Sequence, residues 1–451
     1  MVIVSGAIFV IGGGGSRLGV LVMSGSWVSV SVRRGGEMRG IWRRRWVRWG
    51  WFGLVLGLVL GGGCVPVSPL GTVVVGPGEA VEIRSMEALT GLGELGIPRQ
   101  RAVAMAIADY GPIKGHGVSM GAGVDTQCTA EGGAAAAETV VGDGRVVGVI
   151  GTSCSVAAVE AAPILSEAGL VMISSSNTAP SLTSDLRGNA GADYHAGFYR
   201  VSSNDLYQGQ AMAEFAYSEL GLRRMAAMHD GDPYTSGLAG AFVAAFEALG
   251  GAVTDVAVVS RGETDMVPVL TGLAAEGPEG LVFTLFPEEA GRVVRQVGAV
   301  AGLEGAALIT GVSLMFTELE SVDVYLTGLE FNFGESVNGA TGRSGDAVYA
   351  AYAARYGEGA NPAYVALAYD ATTLLLRAIE EVAVAVGETL YIDRARLREA
   401  LTDTAGFAGI IGSISCDDFG DCGTGRIHIS HYTDPTVGDI AEVPVVFRYE
   451  P

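Results

Sequence analysis

"GVIGTSCSVAAVEAAPILSEAGLVMISSSNTAPSLT", Gly148 to Thr183, is the stretch whose reading decides the fold. An apolar run, "RVVGVI" (145–150), reads as a buried strand. The small polar turn "GTSCSV" (151–156) follows, then an amphipathic segment, "SVAAVEAAPILSEAG" (155–169), and a second apolar run, "LVMISSS" (170–176). Strand, helix and strand in that order make a parallel βαβ unit. Its binding groups are expected where strands end and loops enter helices, which places them in "GTSCSV" and "SSSNT" (174–178).

The same rhythm extends in both directions. Upstream lie "AVEIRSMEAL" (strand, 80–89), "GIPRQRAVAMAIADYG" (helix, 96–111), "GHGVSMGAGVDTQC" (strand, 115–128) and "TAEGGAAAAETVVGD" (helix, 129–143). Downstream come "RRMAAMHD" (strand, 223–230), a helix over 235–250 and "AVTDVAVVS" (252–260). "MVPVLTGLAAEG" (266–277), the strand "GLVFTLF" (280–286), "EEAGRVVRQVGAVAG" (288–302) and the strand "AALITG" (306–311) continue the series. The fold class is therefore α/β with doubly wound parallel sheets. Tandem repeats, heptads and low-complexity tracts do not interrupt the pattern.

Charge and cysteines bound the setting. The chain of 451 residues has 28 basic and 49 acidic side chains. Its first 63 residues carry eight arginines and one acid, Glu37, so the remainder has a net charge of −28. Such a surface repels phosphate backbones, which excludes nucleic acid as a partner. "MRGIWRRRWVRWGWFGLVLGLVLGGGC" (38–64) has a basic start, a short apolar run from Trp51 to Leu60 and small residues before Cys64. The run is too short to span a bilayer, for which about 20 residues are needed, and reads as a signal peptide. "LGGGC" resembles a bacterial lipobox with its leucine one residue early, which makes Cys64 the expected lipid attachment site. Residues 1–37, with the loop-like "GGGGSRLG" (12–19), read as upstream sequence from a misassigned start, and 65–78, "VPVSPLGTVVVGPG", as a mobile tether.

With Cys64 set aside, Cys128, Cys154, Cys416 and Cys422 remain, and three pairings are open to them. Cys416 and Cys422 flank the turn-rich "DDFGD", which brings its ends together, so they pair with each other and leave Cys128 for Cys154. The reactive-thiol alternative at Cys154 makes a cysteine or serine hydrolase the weakest reading. No cofactor or metal is expected: GxSxG, GxxxxGK[ST] and HExxH are missing, and "DDFGD" lacks the spacing of a calcium loop. "GRIHISHY" reads as a strand, where His428 and His431 point to opposite faces.

The block from Cys154 to Thr178, with "FYRVSSNDLYQGQAMAEFA" (198–216) and "MAAMHDGDPYTSGLAGAF" (225–242), resembles the leucine/isoleucine/valine-binding protein family. These are type I periplasmic binding proteins of ABC importers, and the likeness runs from about Val81 to the C-terminus. It implies two lobes joined by a hinge that the chain crosses three times. Lobe 1 would cover 79–203 and 335–415, and lobe 2 204–334 and 420–451. The lobes would close on a small amino acid or a related carboxylate or amide. It further implies a permease and an ATPase as partners in trans, an extracytoplasmic location with a lipid-anchored N-terminus, and no catalysis. A ligand-sensing receptor ectodomain is the alternative of the same fold.

A carboxylate ligand calls for donors at a helix start, and Ser155 opens the helix after "GTSC"; the plainer role for it is an N-cap. By the family match Thr178 would donate to the same carboxylate, Ser176 would offer a carbonyl to an ammonium, and Tyr234, Phe286 and Tyr364 would contact the ligand. One departure stands out. Amino-acid binders of this family place an acid after the strand matching "AALITG", whereas "ITGVSLMF" (309–316) has Gly311, Val312 and Ser313 there. Either Asp205 or Asp232 supplies the charge, or the ligand has no ammonium.

Overall fold

The computed structural model describes residues 8–13, 17–24, 27–32 and 69–451, apart from 312–313, 316, 331–335, 358–359 and 439–441. The signal-like segment 38–64 with Cys64, as well as Val312 and Ser313, lie outside the described residues. The chain divides into two units, Met1–Pro66 and Val67–Pro451. In the first, β1 (Ile8–Gly13), β2 (Arg17–Ser24) and β3 (Trp27–Val32) form an antiparallel sheet. "GGGGSRLG" is thus not a plain loop: its ends belong to β1 and β2.

The second unit has two main sheets. The first is built from β5 (Val81–Glu87), the two-residue strands β6 (Val118–Ser119) and β7 (Val124–Asp125), β8 (Val146–Gly151), β9 (Val171–Ser174) and β10 (Phe198–Arg200). Their order is β10-β9-β8-β5-β6, with β7 also on β5, and every pairing is parallel. Neighbouring β8 residues feed opposite cores. Val147 and Ile150 join the cluster under the long helix Pro362–Val382, whereas Val146 and Val149 join that of Ala158, Ala161 and Leu165. Helices therefore cover both faces, as a parallel sheet requires. The expected strand over 115–128 is reduced to β6 and β7, because its glycines give a strand little to pack.

The second sheet holds β11 (Arg224–His229), β12 (Ala252–Val258), β13 (Gly280–Thr284), β14 (Ala307–Gly311), β15 (Val324–Leu329), β20 (Ile427–Tyr432) and β21 (Val445–Tyr449). The order is β12-β11-β13-β14-β15-β20-β21, parallel as far as β15 and antiparallel beyond. His428 and His431 lie on β20 and turn to different partners, Glu330 and Asp323.

The tether requires correction. Residues 72–75 form β4 (Thr72–Val75), antiparallel to β17 (Thr389–Asp393). A β-branched run, "TVVV", has found an edge, and Val73 and Val75 are buried in the core of the first sheet. Two chain passages between the sheets are stitched together: Arg200 N–H donates to Gly420 at 2.9 Å and Cys422 N–H to Arg200 at 2.9 Å. Cys416 and Cys422 form a disulfide beside this seam.

Candidate functional site

Four helices frame the gap between the sheets: α1 (Gly93–Tyr110), α3 (Ser155–Glu167), α5 (Pro233–Ala248) and α9 (Pro362–Val382), with α2 (Ala130–Val141), α4 (Asp205–Glu214), α6 (Val267–Ala275), α7 (Pro287–Val297) and α8 (Gly345–Tyr356) around them. Two glycines set the approach. Gly151 ends β8 with a φ of +143°, and a Cβ there would lie 2.0 Å from the Met86 carbonyl oxygen. Gly96 lets α1 settle on β5's exit, since a Cβ would fall 2.0 Å from the Ala88 oxygen. The first glycine delivers the "TSCS" turn to the cleft, and the second places the next turn of α1 beside it.

Three hydroxyls tie the turn down, those of Thr152, Ser153 and Ser176. Ser153 Oγ accepts from Ala88 N–H (3.0 Å) and donates to the buried Glu87 carboxylate (2.6 Å). Ser176 Oγ donates to the Ser153 carbonyl (2.7 Å), and Thr152 Oγ1 to that of Cys154 (2.8 Å). The N-cap of α3 is Cys154, without a side-chain capping bond, so Ser155 is the first helical residue and not the cap. Cys154 is bridged to Cys128, with Cα atoms 5.3 Å apart, which fastens the helix start to the loop before α2. Ser155 Oγ accepts from Ala179 N–H at 3.4 Å, which leaves its own proton to give. Ala157 N–H donates to the Cys154 carbonyl (3.1 Å), whereas the N–H groups of Ser155 and Val156, at the first positions of α3, have no acceptor within their helix.

A cavity of about 160 Å³ lies here. Of the residues expected at the site, it brings together Ser155, Ser176, Thr178, Tyr234, Phe286 and Tyr364. Tyr234 and Phe286 meet edge to face, centroids 5.9 Å apart, and pack with Ala88 and the Cys128–Cys154 bridge across the gap between the sheets. Asp205 is not in the lining. It is fully buried, and its N–H donates to the Thr178 carbonyl. Burial pushes its carboxyl up to about 7, opposed by the Thr178 hydroxyl and the Arg200 charge. Asp232 also stays out of the lining and caps α5, accepting from Tyr234 N–H.

Sequence reasoning passed over Arg99, Ser153, Ser175, Gln208 and Thr327, all of which line the cavity. Arg99 matters most, being 3% exposed. Its guanidinium carbon lies 3.8 Å from the centroid of the Tyr364 ring, and it donates to the Leu95 carbonyl. Burial pushes its pKa down, with Tyr364 and Glu87 opposing. Glu87 in turn is pushed up to about 7, chiefly by burial, with Arg99 and the Ser153 hydroxyl pulling the other way. No group of acids and histidines able to hold a metal occurs among the described residues. Nor is any helix among them long and apolar enough to cross a membrane.

Residues 86–421 match the family model described as "Periplasmic binding protein". An amino acid binding protein of Pseudomonas aeruginosa is 30% identical over 173 residues, covering 38% of this chain and 44% of the relative. The chain spans about half the length of the first curated relatives it matches. Among solved structures, a leucine-binding protein from Thermotoga maritima superposes with a TM-score of 0.68 at 24% identity, over 82% of this chain and 99% of that one. A solute-binding protein from R. palustris in complex with 4-hydroxybenzoate gives 0.65 at 17% identity, over 82% and 97%.

Proposed function

Because the chain belongs to the periplasmic binding protein family, we propose that it is an extracytoplasmic solute-binding protein that hands a small carboxylate-bearing ligand to an ABC importer. The observation that carries this reading is the convergence of six expected residues from both sides of the gap on one cavity. On one wall the start of α3, with the hydroxyls of Ser155 and Thr178, offers donors for a carboxylate. On the other, Tyr234 and Phe286 cover an apolar body. A ligand touching both walls favours the closed arrangement, and that population shift is the signal a permease reads. The lobes are taken as 79–203 with 335–415 and 204–334 with 420–451, with β4 added to the first. Cys64 is the proposed lipid anchor.

The volume suits a small solute, since a cavity of roughly 150 Å³ admits a benzene-sized molecule. Leucine and 4-hydroxybenzoate, named for two similar structures, share a carboxylate on an apolar body. No chemistry of its own is assigned to the chain, because Cys154 is held in a disulfide and has no thiol to offer.

A thermal-shift screen of amino acids, aromatic acids, aliphatic acids and amides identifies ligands, which raise the melting temperature by binding only the folded form. Combined Ser155→Ala and Thr178→Ala should then weaken a carboxylate ligand by about 100-fold, as expected for two lost charge-assisted hydrogen bonds. Unchanged affinity by calorimetry, in a variant with an unaltered circular dichroism spectrum, would remove the site.

A further inference from the structure

The cavity has an electrical asymmetry that its aromatic walls conceal. Among the described lining residues Arg99 alone carries a charge, and no carboxylate accompanies it there. Its contacts are the Leu95 carbonyl and the Tyr364 ring, and its Nε is buried without a hydrogen-bond partner. No carboxylate among the described residues lies within 4.0 Å of it. Arg200, also buried and also with an unpartnered Nε, differs in having a carboxylate: its Nη2 sits 2.7 Å from Asp421. A buried cation without an ion-pair partner is costly, and the open side of Arg99 faces the cavity.

An α-amino acid fits this poorly. Its ammonium would enter a space that already holds an unneutralised cation and, among the described residues, no acid. A single carboxylate would serve the α3 start or Arg99 and leave the other wanting. From this juxtaposition we infer that the natural ligand is a short dicarboxylic acid, one carboxylate on the start of α3 with Ser155 and Thr178, the second on Arg99. The inference rests on the solute-binding reading of the same cavity and narrows its ligand class. Ser175, in the lining, extends the donor surface between the two poles, and its Oγ is buried without a partner. Glu87, on the far side of Ser153, is a weak standing counter-ion for Arg99, since burial holds much of it protonated near neutrality. The aromatic rings of Tyr234, Phe286 and Tyr364 fit a dicarboxylate's apolar middle and shut out water, which strengthens the charge pairing.

The test is calorimetry on the full soluble protein with glutarate, with valerate (a similar chain with one carboxylate) and with leucine. Glutarate should bind at least about 30-fold more tightly than valerate, the scale expected for completing a buried charge pair. Arg99→Gln should erase that preference, bringing the two affinities to within about threefold of each other, and Arg99→Lys should keep part of it. Should Arg99→Gln fail to fold, the glutarate-to-valerate ratio on the unmodified protein still decides. Valerate or leucine binding as tightly as glutarate would overturn the inference. If that binding still depends on Ser155 and Thr178, the solute-binding site stands and only the dicarboxylate falls. Failure of all three probes to bind overturns the dicarboxylate, and a panel of amides and aromatic acids that also fails removes the site with it.

Discussion

Two arginines buried in the same half of the molecule, Arg200 at the seam and Arg99 in the cleft, have opposite surroundings. Arg200 donates to Asp421, Thr183 and the Ala179 carbonyl, and Asp421 also takes hydrogen bonds from Asn204 and Thr183. Every partner is internal, and together they join chain passages more than two hundred residues apart. Arg99 has a ring, a carbonyl and an open cavity. A satisfied buried ion pair fixes one geometry, whereas an unsatisfied cation waits for a partner from outside. The first belongs to architecture and the second to binding.

The largest effect expected from this contrast is at the seam. Asp421→Ala leaves Arg200 buried with no carboxylate in hydrogen-bonding contact and should cost about 3–5 kcal/mol of folding stability. Urea denaturation with an unchanged m-value would record it as a shift of the midpoint alone. A loss below about 1 kcal/mol, the scale of an exposed pair, would show that the seam is stabilised elsewhere.

How far such differences can be read in a sequence depends on what carries the signal. The βαβ series was legible because strand and helix periods repeat along the chain, and the ends of a helix such as α9 are written in its own residues. Its caps are local: Asn361 accepts from Ala363 N–H, and Pro362 takes the first helical position. β4 was missed because "TVVV" lies among prolines and glycines, and its partner β17 is over three hundred residues away. Hydroxyls at strand ends, such as Ser155 and Thr178, stand where parallel sheets put binding groups. Arg99 left a fainter trace. It falls in phase with Leu95, Ala102, Val103 and Ala106 on the buried stripe of α1, a position where an exposed arginine does not belong. Neighbouring Gln100 and Arg101 mask that phase, and only the tertiary position of Tyr364 and the cavity makes it decisive. Asp205 was misplaced for the same reason: the chain shows that it is near the crossing, not that Thr178 stands between it and the ligand space.

The carboxyls behind the two arginines sharpen the comparison through pH. Glu87 and Asp205 are both raised by burial to about 7 from ordinary values of 4.5 and 3.8. For an acid raised on folding, the folded state holds more protons between the two pKa values, so stability falls as pH rises through that window. Each should therefore contribute fully below about pH 4 and lose on the order of 2 kcal/mol between pH 5 and 8. Melting temperatures across this range should decline, and Glu87→Gln and Asp205→Asn should each flatten part of the decline. A curve that rises between pH 5 and 8 would mean that both carboxyls are ionised and better paired than their burial implies.

The smallest effect falls on Arg99 itself, and its smallness is the point. Removing a fully paired buried charge strands its partner, but no carboxylate among the described residues lies within 4.0 Å of Arg99, and Glu87, bonded to Ser153, can keep its proton. Methionine keeps much of the volume and flexibility of the side chain and brings no charge to bury. Arg99→Met should therefore change unliganded stability by less than about 1 kcal/mol, in either direction. The same substitution should abolish preference for a doubly charged ligand. Stability held and selectivity lost is the pattern of a residue kept for binding at some expense to the fold. A loss as large as that of Asp421→Ala, measured without ligand, would instead make Arg99 a second structural pair, with Glu87 ionised as its counter-ion.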